Sequence, residues 1–248
     1  ELNIYIKGQF LLFAATVLVI LANVGQLTHN QVSRAIFMLR IKILDLNYMF
    51  SKPQDVHFVP EYGTDGKQNP THEGLFPIYQ WGMYNYCRKQ QNKDSTVCSE
   101  KKFGHRVDPV DAIQADTPAK SSVYNDPILK ANFHRLDDVR HYTNVAFYLL
   151  FVGTILAGVS WILSMLFHMA ALAISALGSF LAFACLCSGA GIWTWAIQTM
   201  KHGYHPGVDI QHANAIWMFW SAVAATLFAI PFLLSSASMS RSMYIDVY

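Results

Sequence analysis

The stretch HYTNVAFYLLFVGTILAGVSWILSMLFHMAALAISALGSFLAFACLCSGAGIWTWAIQTM, residues 141–200, contains no Asp, Glu, Lys or Arg. A bilayer crossing takes about 20 apolar residues, so the block holds two spans rather than one. Only His168 and its neighbours separate them. Spans at about 143–167 and 169–200 must therefore form a tight antiparallel hairpin. The second exceeds the hydrocarbon thickness, and its Trp193 and Trp195 are expected in an interfacial aromatic belt, with the last turns in water. Working outward, a further apolar run covers about 213–237 and another about 4–25. The latter lacks a small-residue cleavage pattern before Gln26-Leu27-Thr28-His29, so it reads as a retained helix rather than a signal peptide.

Composition agrees with four spans. Of the 248 residues, 53% are hydrophobic and 14% charged, against about 25% charged in soluble domains. A net charge of +2 is too small to argue for a nucleic-acid partner. The distribution says more: Leu27 to Tyr142 holds 15 of the 18 Lys and Arg and 13 of the 16 Asp and Glu. This wet segment, 27–142, is too long for a structureless loop. A second, short loop covers 201–212.

Within the wet segment, IFMLRIKILDL alternates Leu39, Ile41 and Ile43 with Arg40 and Lys42, which predicts a strand. LFPIYQWGMYNYC is aromatic and β-prone and predicts a second strand or a pair. Lys52 to Thr71, rich in Pro, Gly, Asp and Asn, reads as an extended loop. Asp108-Pro109 and Asp126-Pro127 are helix-start signals. No breaker follows the second, so one continuous helix is expected to run from it into the span at 143–167. Small residues at Gly153 with Ala157 and Gly178 with Ala182 have a spacing that lets helices approach closely, although lipid-facing helices also tolerate small residues. Gly178 and Ala182 are expected to carry lateral contacts with a partner.

The four cysteines divide into two kinds. Cys185 and Cys187 lie mid-span, where a thiol behaves as a small hydrophobe. Cys87 and Cys98 lie in the wet segment. If that segment faces an oxidising compartment, a disulfide is the ordinary fate of such a pair. Metal binding is the weaker alternative, since ten intervening residues make no knuckle and no second pair exists.

Gly82-Met83-Tyr84-Asn85-Tyr86-Cys87, followed by ten residues and Cys98, resembles the claudin-type signature G-L-W-x-x-C-x(8–10)-C, with Trp81 just ahead of it. Tyr84 stands where claudins have Trp. The RVDPVDAIQ segment, containing Asp108 and Pro109, is similar to a Phe/Val-Asp-Pro segment of the fungal SUR-seven/PalI family, a claudin-like group. The resemblance implies a membrane four-helix bundle carrying an extracellular antiparallel β-sheet, with 1–248 as a single tetraspan domain.

Other constellations weigh less. His202, His205 and His212 with Asp209 tempt a zinc or copper reading, but Gly203, Pro206 and Gly207 mark a turn and the spacing fits no standard site. Asp137 and Asp138 could pair with Arg135 or Arg140 on a solvated helical face, or form a cation-attracting rim. No G-x-S-x-G, Walker-type or H-E-x-x-H motif occurs, and the apolar runs from Gln9 onward carry no ionisable acid or base for a proton relay. The expectation is therefore a non-enzymatic tetraspan without cofactor or metal. It would have both termini cytosolic and its partners in the bilayer, among other plasma-membrane proteins or copies of itself. The resemblance implies work in cortical patches (eisosomes) and cell-wall organisation. A PalI-type subunit sensing ambient pH is the alternative, since histidine titrates near neutrality.

Overall fold

In the computed structural model the described residues are 2–25, 35–52, 56, 58, 74–89, 96–117, 127–131, 133, 135–166, 169–202 and 207–245. The chain divides into two compact units. One is helical: Glu1–Gly25, Val145–Trp193 and Asn214–Tyr248. The other, built on a sheet, comprises Gln26–Asn144 and Thr194–Ala213.

The helical unit draws on α1 (Leu2–Val24), α5 (Leu136–Ser164), α6 (Met169–Lys201) and α7 (Asn214–Ile245). All four are long and apolar enough to cross a membrane, over Ile4–Val24, Leu136–Ser164, Ala170–Lys201 and Asn214–Ser238. These bounds match the apolar runs closely, except that α5 starts several residues before the run at 143. At about 1.5 Å per residue, α5 and α6 exceed a hydrocarbon core of about 30 Å. Their surplus turns, up to Asn144 and from Thr194, belong to the sheet unit.

Inside the helical unit small residues such as Ala157 and Ala182 are buried along with large ones such as Trp193, Phe147 and Phe219. Leu12, Ala176, Ala229 and Leu233 form a buried cluster with Leu11 and Trp161 against it. Phe10, Ile155, Ile162, Leu177 and Phe228 face outward. A soluble protein buries its large apolar side chains. In lipid they cost nothing outside, and close backbone approach through small residues holds the helices together.

Polar side chains in this unit mostly return to their own helix. Thr16 donates to the Leu12 carbonyl at 2.8 Å, Ser179 to Ser175 at 2.8 Å and Thr226 to Ala222 at 2.9 Å. Others cross between helices: Asn23 Nδ2 donates to Thr154 Oγ1 at 2.8 Å, Ser175 Oγ to the Ser160 carbonyl at 2.7 Å, and the Tyr5 hydroxyl and Gln9 Nε2 both to the Ser164 carbonyl, at 2.6 and 2.8 Å.

The sheet unit holds a five-stranded antiparallel sheet in the order β4-β3-β2-β1-β5. Its strands are β1 (Leu39–Ile43), β2 (Ile78–Trp81), β3 (Tyr86–Lys89), β4 (Thr96–Cys98) and β5 (Val208–His212). Helices in the same unit include α2 (Leu46–Met49), α3 (Pro109–Asp116) and α4 (Pro127–Ala131). The alternation of β1 holds, with Leu39, Ile41 and Ile43 buried. Register sets Leu39 opposite Trp81 and Ile41 opposite Tyr79, and Ile41 opposite Ile210 on the other side. One sheet face is therefore aromatic and aliphatic, while Arg40, Gln80, Cys87 and Cys98 share the other.

Three expectations are corrected. The short second loop is more than a turn, because Val208–His212 adds a strand to the sheet. Gly207, read as a turn marker, sits so close to β1's end that an added Cβ would meet the Asp45 carbonyl at 2.6 Å. The helix expected to run unbroken from Asp126-Pro127 stops at Ala131 and restarts at Leu136, with Arg135 at φ 53°. A left-handed residue cannot continue a right-handed helix. Trp193 is buried at 1% exposure, so it takes no place in an interfacial belt. Trp195 stays at the surface and meets the Tyr142 ring edge-on at 5.2 Å. The hairpin turn at Phe167 and His168, and most of Lys52 to Thr71, lie outside the described residues.

Candidate interaction site on the sheet

The cysteine motif is the β2–β3 hairpin. Trp81 ends β2, and Gly82, Met83, Tyr84 and Asn85 form the connection, closed by the Gly82 amide donating to the Asn85 carbonyl at 2.9 Å. Met83 is buried beneath it. Cys87 on β3 lies directly opposite Cys98 on β4, and the two are bonded with S–S 2.09 Å and Cα–Cα 3.9 Å. The neighbouring pair Tyr86 and Ser99 carries a ladder hydrogen bond at 2.8 Å. The cysteines thus occupy a non-hydrogen-bonded pair, where side chains come closest. Cys185 and Cys187 are free.

On the aromatic face, Tyr79, Trp81, Tyr86 and His105 stack in succession at 6.1, 5.9 and 6.3 Å. The Tyr79 hydroxyl donates to Asp116 Oδ2 at 2.8 Å, and Arg88 pairs with the other oxygen of the same carboxylate. Burial pushes the Tyr79 hydroxyl far above its ordinary pKa, and raises Tyr86 and Tyr84 as well. On the opposite face, the Gln80 amide is oriented to accept from Arg40 Nε at 3.1 Å and Nη2 at 2.9 Å. Burial lowers the Arg40 pKa.

Asp108 and Pro109 do two jobs. Asp108 caps α3, accepting from the Asp111 amide at 3.0 Å, with Pro109 in the first turn. Proline there gives up an amide that the helix would leave unpaired anyway. The Asp108 carboxylate also holds Arg140 of α5: Nη2 donates to Oδ1 at 2.8 Å, and Nε lies 2.6 Å from Oδ2, off the line of a straight hydrogen bond. Nearby, the Val107 amide donates to Thr143 Oγ1 at 3.2 Å and Asn144 Nδ2 to the Gly104 carbonyl at 2.6 Å. Arg135 pairs with Asp138 at 2.7 Å and Arg140 with Asp137 at 3.1 Å. The Asp108–Arg140 clamp was not read from the sequence, because 32 residues separate the partners and no local pattern links them.

Clefts open in this unit among the described residues. One, about 690 Å³, lies among α3, α4 and the first turns of α5. Another, about 560 Å³, lies beside the hairpin and includes Trp81, Tyr86, Phe103 and His105. Burial, with Lys102 and Arg106 adding to it, pushes the His105 pKa down to about 4. Burial lowers His212 too, aided by Lys201. Among the described residues no three His, Cys, Asp or Glu side chains converge as metal ligands. Asp209 and His212 fall on opposite faces of β5, and His205 lies outside the described residues.

The four small residues of the helical pattern lie inside this chain's own bundle. A Cβ on Gly153 would meet Leu186 Cγ at 2.9 Å and its backbone nitrogen at 3.2 Å; one on Gly178 would collide with Ser160 Oγ. Ala157 and Ala182 are fully buried. Gly178 and Ala182 are therefore no free surface for a partner, because α5 and α6 of the same chain already use them.

Four membrane-length helices with a small disulfide-pinned antiparallel sheet define a claudin-like tetraspan membrane protein. The sequence model of the SUR7/PalI family matches residues 5–232. The chain belongs to the SUR7/PalI family. No curated protein shows a significant match to it.

Proposed function

We propose that the protein is a non-enzymatic scaffold of the plasma membrane. It would organise a membrane domain or accompany a larger membrane protein, in fungal cortical patches and in cell-wall organisation. One observation carries this reading: the helices spend glycines such as Gly153 and Gly178 on their own seams and turn many large apolar side chains outward. Ile174, Leu177 and Leu181 form one such outward stripe on α6. Water plays no part between helices in lipid, so side-chain shape decides what docks there. The outer loops would lie outside the cell, where Cys87 and Cys98 find an oxidising compartment, and four spans put both chain ends in the cytosol. A role in sensing ambient pH draws less support, since burial pushes the His105 pKa down to about 4 and lowers that of His212 as well.

The test is a triple substitution, Ile174→Ala, Leu177→Ala and Leu181→Ala, in a fluorescently tagged chain. The expected result is dispersal of clustered protein into a uniform membrane signal, with the disulfide and surface delivery retained. Unchanged clustering would remove α6 from the scaffold reading. Loss of clustering on replacing His202, His205 and His212 by Gln instead would point to a histidine site.

A further inference from the structure

The cleft among α3, α4 and the first turns of α5, about 690 Å³, is of a size typical for small-ligand sites, roughly 300–1,000 Å³. Its walls carry three cations, Lys130, Arg135 and Arg140, and three carboxylates, Asp111, Asp137 and Asp138. Four of the six already pair with one another, Arg135 with Asp138 and Arg140 with Asp137. Lys130 and Asp111 are left over, both exposed and neither in an ion pair among the described residues. One charge of each sign therefore remains for a ligand. A purely anionic or purely cationic group gains one of them and is repelled by the other. A ligand with both signs and no net charge satisfies both.

The place of the cleft along α5 says where such a ligand comes from. Val145, Tyr148, Val152, Ile155, Val159 and Ile162 are exposed at intervals of three or four residues, which makes them the lipid-facing stripe of the span Leu136–Ser164. The same stripe continues upward through Tyr142 to Asp138 and Arg135, whose exposures are 43, 44 and 52%. Tyr142 meets Trp195 edge-on at 5.2 Å, and the Arg135 guanidinium lies 5.8 Å over the Trp195 ring. Tyrosine and tryptophan gather where a bilayer meets water, so the charges one and two turns beyond Tyr142 stand at headgroup level. Arg135 is held there at φ 53°, a conformation uncommon for a residue with a side chain and one that collects at functional sites. We infer that this cleft binds the headgroup of a zwitterionic phospholipid from the leaflet at the N-terminal end of α5, with the phosphate at Lys130 and the ammonium at Asp111. The inference rests on α5 crossing a bilayer and is independent of lateral assembly through α6.

The experiment is lipid titration of the delipidated full chain in detergent, read by native mass spectrometry. The probes are phosphatidylcholine, phosphatidylglycerol and diacylglycerol with identical acyl chains, and soluble glycerophosphocholine as a free zwitterion. Phosphatidylcholine is expected to bind saturably and about fivefold more tightly than the other two lipids, the scale of one exposed charge contact. Asp111→Asn should abolish the preference by admitting phosphatidylglycerol equally well. Lys130→Gln should weaken phosphatidylcholine about fivefold without admitting phosphatidylglycerol. Equal binding of all three lipids, a preference for phosphatidylglycerol, or a ranking untouched by both variants would each overturn the assignment. So would glycerophosphocholine binding as tightly as the lipid, which would make the ligand a soluble zwitterion. The ranking in the unchanged chain needs no variant, so it decides the matter even where a substitution disturbs folding. Dispersal by the α6 substitutions has no bearing on this result, so the two readings fail separately.

Discussion

The two units place their large apolar side chains differently. In the helical unit some, such as Trp193, Phe147 and Phe219, are buried along with alanines such as Ala157 and Ala182, while many others, such as Phe10 and Phe228, face out. In the sheet unit Trp81 and Tyr79 are fully buried, and charges make ion pairs between elements, as with Asp108 and Arg140. Where water is present, burying large apolar area drives assembly. Where lipid replaces water that drive vanishes, and close approach with internal hydrogen bonding takes over. The contrast shows that each part of the chain records the solvent it was built for.

The sharpest way to break the contrast is to remove the sheet unit's clamp. Asp108→Ala should cost about 3–4 kcal/mol, combining a lost helix cap with a half-buried arginine left without its partner. Thermal unfolding should show the sheet unit melting early while the membrane helices persist; a joint loss of both would mean that they do not fold as separate units.

The converse test is Gly153→Leu. It overpacks the α5–α6 seam against Leu186, a change worth roughly 3 kcal/mol. Helical content in detergent should fall at lower temperature, with the Cys87–Cys98 bond still protected from reductant. An unaltered melting temperature would mean that the seam is looser than the Gly153–Leu186 approach implies. Replacing Cys87 and Cys98 together by Ser should cost somewhat less than 3 kcal/mol, for a bridge of sequence separation 11. That loss belongs to the sheet unit alone.

Acid should also act on one unit only. His105 has a pKa of about 4 when folded, against about 6.5 when unfolded. Below 6.5 the unfolded chain takes up a proton that the folded chain refuses. Stability is therefore complete above pH 6.5 and is lost as pH falls towards 4, by about 2 kcal/mol between pH 7 and pH 5. His105→Phe should flatten that dependence, and an equally steep profile in the variant would assign it elsewhere. The smallest effect is expected from His202→Gln at an exposed position just beyond α6, which should shift stability by less than about 0.5 kcal/mol.

Much of this was legible in the sequence, for physical reasons. A bilayer imposes length and the exclusion of charge on each span, and both can be counted along the chain, so the four helices fall close to their apolar runs. Alternation at Leu39 to Ile43 reports a half-buried strand for the same kind of local reason. The pairing of Cys87 with Cys98 followed from their position in the one polar segment.

Tertiary structure alone decided the rest. Val208–His212 does alternate, Val208 and Ile210 with Asp209 and Gln211, but so short a pattern beside Pro206 and Gly207 reads equally as a turn, and its pairing with β1 makes it a strand. Trp193 looked interfacial by its place near a span's end, yet packing buried it. Whether Gly153 and Gly178 served this chain or a partner depended on what stood opposite, and Leu186 and Ser160 stood there. Local sequence encodes the solvent and the period of an element. It does not encode which distant residue will meet it, because that meeting is settled only when the elements compete for the same surfaces.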